Sequence, residues 1–158
     1  MLTIMPEPLT KEAFAPYGDV LEAPVEKGRL YYEEALGNGR TDAWASLFLS
    51  CALPVAGLPL DAAVMERHEF SSQTFVPLAP TRWVVMVAPH GADGGPDMSR
   101  ARAFLPAPGQ GITYRMNVWH HPNTVFGAPA QFAVFMWRDG GKGDEEFFTL
   151  PEPVKIAG

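Results

Sequence analysis

The sequence predicts an all-β fold, a sandwich or small barrel with little helix, and three features of the chain predict it. Short segments alternate apolar and polar side chains with the two-residue period of a strand. The 15 glycines and 16 prolines are scattered, so the elements are short and joined by turns. Helix signals are confined to the start of the chain and to one turn in its middle. About eight to ten strands are expected, and a small barrel built from them holds one small ligand in its mouth.

Taken in order, Thr10 is placed to cap a short helix through Phe14, with Glu12 near its positive end, and Pro16 and Gly18 stop it. Gly18 to Glu22 reads as the first strand. Residues 23–44 are polar and irregular, with Tyr31, Tyr32 and Trp44 expected to anchor them to the body. Ala45 to Leu53 alternates, with Leu47, Leu49 and Cys51 on one side and Phe48 between Ser46 and Ser50 on the other. Pro54 to Pro59 reads as a turn. Met65 to Phe70 is a strand, Ser71-Ser72 a turn or bulge, and Gln73 to Val76 resumed extended chain. Trp83 to Ala88 is apolar on both faces, as in a strand covered on both sides. Pro89 to Pro96 is a loop, Asp97 to Ala101 one helical turn, Arg102 to Leu105 a short strand, and PAPGQG a tight turn. Ile112 to Arg115 alternates again, with Ile112 and Tyr114 on one face. Gln131 to Trp137 is a strong strand, Arg138 to Gly143 a hairpin loop, and Glu146 to Leu150 the return.

Length suits one domain, residues 1–158, with a real core. Net charge is −6 and no two basic residues are adjacent, which argues against nucleic acid or an anionic membrane as a partner. No stretch is long and apolar enough to span a bilayer, and the first residues lack the pattern of a signal peptide, so a cytoplasmic protein is expected. Cys51, the single cysteine, sits in the apolar run ASLFLSCAL and is expected to be a buried structural thiol.

The polar residues of most interest lie in MERHEFSSQTFVPL, Met65 to Leu78. In a strand, Glu66, His68 and Phe70 share one face, while Met65, Arg67 and Glu69 share the other. The turn at Ser71-Ser72 re-aims the chain before Gln73, so a carboxylate, an imidazole and an amide can converge. On spacing alone, the same residues equally suit solvated strand charges and a satisfied histidine. A second cluster is Arg115-Met116-Asn117-Val118-Trp119-His120-His121. In an extended segment the paired histidines point apart, and His120 is read as the inward one; a surface loop carrying both fits the spacing as well.

Glu66-x-His68 with Gln73 resembles a degenerate first cupin motif, and Arg115-x-Asn117-Val118-Trp119-His120 the second. The ordered set is most similar to the bacterial ureidoglycolate lyases. It comprises Leu9-Thr10 through Gly18, Glu66-Arg67-His68, Ser72-Gln73-x-Phe75-x-Pro77-Leu78, Val84 to Pro89, Arg102 to Leu105, Pro108 to Gly111, Val118 to Pro122 and Asp144-Glu145-x-Phe147-Phe148. The departures are Asn117 where the family has a glycine, Gln73 in place of the cupin glutamate, and residues 23–44, which match least. The resemblance implies a cupin-like β-barrel, a double-stranded β-helix or jelly-roll sandwich with one or two short helices. It also implies a homodimer that splits (S)-ureidoglycolate into glyoxylate and urea in allantoin and purine nitrogen degradation.

That reaction is collapse of a carbinolamide, which needs a base, an acid and a holder for the substrate carboxylate. Glu66, His68, Gln73 and His120 are the expected catalytic residues. Arg115 and Arg82 are candidates for the carboxylate, and Tyr114 and Trp119 for the pocket walls. Arg67, on the opposite strand face from Glu66, is not favoured. Two histidines and a carboxylate (Glu66, His68, His120) also form a plausible divalent-metal site, for which the resemblance implies nickel; a metal-free acid/base site is the rival. The competing functions are a generic metal-dependent cupin, such as a dioxygenase or isomerase, and a non-catalytic small-molecule-binding cupin.

Overall fold

The computed structural model describes residues 1–158 as a cupin-like all-β sandwich of two sheets. The elements are β1 (Thr3–Ile4), β2 (Glu7–Pro8), α1 (Lys11–Phe14), β3 (Gly18–Leu21), β4 (Trp44–Ala52), β5 (Pro54–Val55), β6 (Leu60–Arg67), β7 (Gln73–Pro77) and β8 (Arg82–Ala88). A 3-10 turn at Met98–Arg100 follows, then β9 (Arg102–Leu105), β10 (Gly111–Tyr114), β11 (Trp119–His120), β12 (Thr124–Phe126), β13 (Ala130–Arg138) and β14 (Glu146–Ile156). The larger sheet runs β1-β14-β6-β11-β8-β12-β5, with β9 and β2 also joined through β8; the smaller runs β3-β10-β7-β13-β4.

The expected alternation is present strand by strand. β13 buries Phe132, Val134 and Met136 and turns Ala133 and Phe135 the other way. Trp83, Val85 and Val87 of β8 enter a core shared with Phe14, Phe75, Phe104, Ile112, Tyr114 and Phe132. Val84, Met86 and Ala88 enter a second core with Met65, Trp119, Leu150 and Ile156. β8 is therefore covered on both faces, which is why its sequence is apolar throughout. Thr10 caps α1, its hydroxyl accepting from Ala13 N–H at 3.2 Å. Gly18 is required where β3 meets β10, because an added Cβ would lie 1.7 Å from the Thr113 carbonyl oxygen.

Several expectations change. β6 begins at Leu60 and ends at Arg67, so His68 lies just past the strand. The Pro54 segment pairs with β12 as a two-residue strand. β14 runs on to Ile156 through Pro151 and Pro153, its ladder with β6 shifting between Thr149 and Val154 where the prolines cannot donate. Cys51 is exposed, as it lies on the outer side of the edge strand β4. Tyr31 and Trp44 are also exposed, and of the three expected anchors only Tyr32 is held, its hydroxyl bonded to the Glu22 backbone at 3.0 Å. No helix is long and apolar enough to cross a membrane.

Candidate active site

Strand pairing places the first two site residues. β6 and β11 run antiparallel with Glu66 directly opposite His120, so both side chains leave the same face. Trp119, one residue earlier, must face the other way; it is 1% exposed in the second core. Glu66 Oε1 lies 3.2 Å from His120 Nε2. His68 joins them from the end of β6, its ring centre 5.9 Å from that of His120. Gln73 comes from the opposite sheet, where it opens β7 between Tyr114 of β10 and Met136 of β13. The site thus lies between the sheets, at one end of the sandwich.

Hydrogen bonding fixes how the two imidazoles are presented. A carbonyl oxygen only accepts, so a ring nitrogen bonded to one carries the hydrogen. His120 Nδ1 donates to Val118 O at 2.9 Å, and His68 Nδ1 to Asp144 O at 3.2 Å. In the neutral form of each ring Nε2 is then a bare lone pair, and in a His120 imidazolium it donates to Glu66 instead. Both Nε2 atoms are buried without a hydrogen-bond partner, as is Gln73 Oε1, while Gln73 Nε2 is 3.9 Å from Met136 Sδ. With His120 neutral, its close contact with Glu66 joins two acceptors. One ligand atom from each of Glu66, His68 and His120 lies within 4.8 Å of the others. Two imidazole lone pairs and a carboxylate that converge with no proton between them fit an open divalent-cation site.

Burial raises the proton affinity of Glu66, but the hydrogen bond and positive charge of a protonated His120, with the charges of His68 and His121 behind it, outweigh burial and hold the carboxyl below its ordinary range; a bound cation would supply the same attraction. Burial, then the neighbouring His120, keeps His68 below the usual imidazole value, against the opposing pull of Glu66 and Asp144. Both groups are thereby biased toward the forms that donate lone pairs. Tyr114 stacks on the His120 ring, with centres 4.0 Å apart and planes at 17°. Burial, and secondarily the Glu66 charge, raises its phenol and keeps it protonated.

The pocket in front of these groups is open and has a volume of about 340 Å³. Glu66, His68, Gln73 and Met136 line it; the β13–β14 loop and Arg40 complete its walls. Arg40 donates to Asp139 at 2.8 Å and to the Trp137 carbonyl at 3.2 Å, and lies 3.5 Å from Asp144. Asp144 also accepts the Phe70 N–H at 2.7 Å. One aspartate therefore helps hold Arg40 and, through its carbonyl, orients His68.

Four of the expected residues are placed elsewhere. Arg115 bonds the Glu34 carbonyl at 3.0 Å and lines a separate hollow with Lys11 and Tyr32, because the chain turns away after β10. Arg82 lies in another hollow beside Leu58 and Leu105. Trp119 faces the second core, its indole N–H donating to Gly94 O at 3.1 Å. Tyr114 backs His120 without lining the pocket. Arg67 is held by Glu146 and Asn117 and lies over the Trp119 ring, away from the pocket, as its strand face requires. Asn117 has φ 65°, the left-handed conformation its place in the turn demands. Arg40 was missed because it falls in the irregular segment 23–44, where no periodicity assigns a face. Asp144 appears in the sequence only as part of the closing motif, with no sign of its role.

Comparison with known proteins adds an independent line. The family model for ureidoglycolate lyase matches residues 1–157. A putative ureidoglycolate lyase of Agrobacterium fabrum is 40% identical over 161 residues, covering 99% of this chain and 96% of the relative. Ureidoglycolate lyases of a Chelativorans species and of Brucella anthropi are each 37% identical, covering 99% and 98% of this chain and 97% and 94% of their own lengths.

Proposed function

Because the chain belongs to the ureidoglycolate lyase family, we propose that it cleaves (S)-ureidoglycolate to glyoxylate and urea at the pocket lined by Glu66, His68 and Gln73, with His120 behind Glu66. In this reading residues 1–158 are one catalytic domain, working in the cytoplasm. The observation that carries the site assignment is the convergence of one ligand atom from each of Glu66, His68 and His120 within 4.8 Å, with Glu66 and His68 facing an open pocket.

Glu66, His68 and His120 would hold a divalent cation, nickel by family resemblance, which when bound supplies Lewis-acid polarisation of a substrate oxygen. The proton inventory of the reaction is simple. One proton leaves the hydroxyl of the carbinolamide, the carbonyl of glyoxylate forms, the carbon–nitrogen bond breaks, and one proton arrives on the departing urea nitrogen. Glu66 turns one oxygen to His120, leaving its second oxygen to take the hydroxyl proton and return it to the nitrogen. The Gln73 amide hydrogen-bonds a substrate oxygen. Arg40 binds the substrate carboxylate. Arg138 and Lys142 also line the pocket but are exposed, whereas the Arg40 side chain is only 13% exposed and its fork is fixed by Asp139 and Asp144.

The test is glyoxylate release from racemic ureidoglycolate by the purified protein. Consumption of one enantiomer with equimolar glyoxylate and urea is the expected result. Binding of ureidoglycolate without release would identify a non-catalytic binding protein. Oxygen consumption or isomerisation without urea would identify a different cupin chemistry.

A further inference from the structure

Gln73 lines the pocket with its amide uncommitted. The residue is 8% exposed, and its carbonyl oxygen is buried with no hydrogen-bond partner. Its NH2 meets only the Met136 thioether, a weak acceptor at 3.9 Å. Turning the amide over exchanges oxygen and nitrogen and leaves both ends as poorly matched. Buried amides are ordinarily bonded at both ends, so one left unmatched in a pocket wall is placed for a ligand. The chain holds it there. Ser72 N–H donates to the Gly37 carbonyl at 3.0 Å, and Gly37 N–H to Ser72 Oγ at 3.0 Å. Ser71 Oγ accepts the Trp137 N–H at 2.8 Å and donates to the Ser72 carbonyl at 2.6 Å. On the other side, Thr74 Oγ1 and Thr113 Oγ1 share a hydrogen bond of 2.8 Å. Residues 71–74 are all buried, and strand pairing sets Gln73 beside Tyr114, whose ring stacks on His120.

A primary amide presents an acceptor and a donor side by side. The group that answers both at once is another primary amide or carbamoyl, whose oxygen accepts and whose N–H donates along one edge. Ureidoglycolate ends in such a group, whereas its carboxylate has acceptors only and its hydroxyl is a single atom. We propose that Gln73 is the specificity-determining residue for the leaving group, its amide pairing edge to edge with the terminal O=C–NH2 of the substrate. It thereby selects carbinolamides whose leaving group is urea over those whose leaving group is a simple amide. The proposal rests on the reaction assigned above and extends the one hydrogen bond given there to recognition at two points. Arg40 keeps the carboxylate and Glu66 the proton. A substrate without the terminal NH2 leaves the Gln73 oxygen buried and unmatched, and a site of that kind rejects the wrong ligand more strongly than an apolar pocket does.

Calorimetric titration of the full chain with ureidoacetate and with N-acetylglycine tests the proposal. Both lack the hydroxyl and are not cleaved, both carry the carboxylate, and they differ only in NH2 against CH3, groups of nearly one size. The wild type is expected to bind ureidoacetate at least about tenfold more tightly than N-acetylglycine. In Gln73→Met, a side chain of similar length without the amide, the ratio is expected to fall below about twofold, through weaker binding of ureidoacetate. Should Gln73→Met fail to fold, Gln73→Asn, which withdraws the amide by one methylene, is expected to show the same fall. A wild-type ratio near one, binding of neither compound, or a ratio unchanged in the variant would overturn the proposal. Glyoxylate release from racemic ureidoglycolate by the same preparation keeps the two readings apart. No release with the ratio intact would overturn the assigned reaction and leave the carbamoyl preference of Gln73 standing.

Discussion

Glu66 and His120 meet at 3.2 Å as carboxylate oxygen and imidazole lone pair, while the other nitrogen of His120 is committed to the Val118 carbonyl. Such a pair is relieved by a cation or a shared proton, so the polar residues of this pocket form a binding set more than a stabilising one. Glu66→Gln keeps the shape and removes the charge. Turnover is expected to fall by at least about a hundredfold, with the melting temperature held or raised. His68→Ala should likewise remove turnover with little loss of folding; near-full activity of either variant would show the site to be elsewhere. Arg40→Lys keeps a charge but not the fork, and an increase in KM of about tenfold or more with a smaller change in kcat is expected if that fork holds the carboxylate. Protonation supplies a separate check. Burial lowers His68 and His121, so the unfolded chain takes up protons that the folded chain refuses. Stability should therefore decline as pH falls below about 6.5, and the lowered Glu66 adds to the decline at more acid pH. Equal melting temperatures for chelated protein at about pH 7.5 and 5.5 would contradict those assignments.

At the scale of elements, the site depends on β6 and β11 remaining in register and on the turn between β10 and β11. Asn117 holds that turn, its N–H donating to His68 O at 2.7 Å with φ at 65°. Asn117→Ala is expected to lose about 1–2 kcal/mol in a denaturant titration, and Asn117→Gly less. Much of this level was readable in the sequence. The Thr10 cap, the doubly covered β8 and the long β13 all follow from alternation and capping, which are local; the same alternation would have turned Trp119 away from His120, yet Trp119 was expected as a pocket wall. What alternation cannot supply is which sheet face is covered. Cys51 reads as buried because it lies in an apolar run with Leu47 and Leu49 on its side, yet β4 is an edge whose outer face leaves all three exposed. For the same reason Arg115 and Arg82, expected to hold the carboxylate, line other hollows. Arg40 had no strand period to assign it at all.

For the whole molecule, the two sheets have separate tasks. The larger carries Glu66 and His120, with His68 just past the end of β6, and a second core behind it keeps the strands in register. The smaller supplies Gln73 and Met136 to the pocket. In the proposed reaction Glu66, His68 and His120 would together hold one divalent cation at the centre that cleaves ureidoglycolate. The most direct test adds nickel in steps to chelated protein and measures bound metal and glyoxylate release on the same samples. Release rising in proportion to bound metal, up to one ion per chain, and absent from a His120→Ala variant that remains folded, is the predicted result. Full release from metal-free protein, or nickel binding undiminished in His120→Ala, would contradict it.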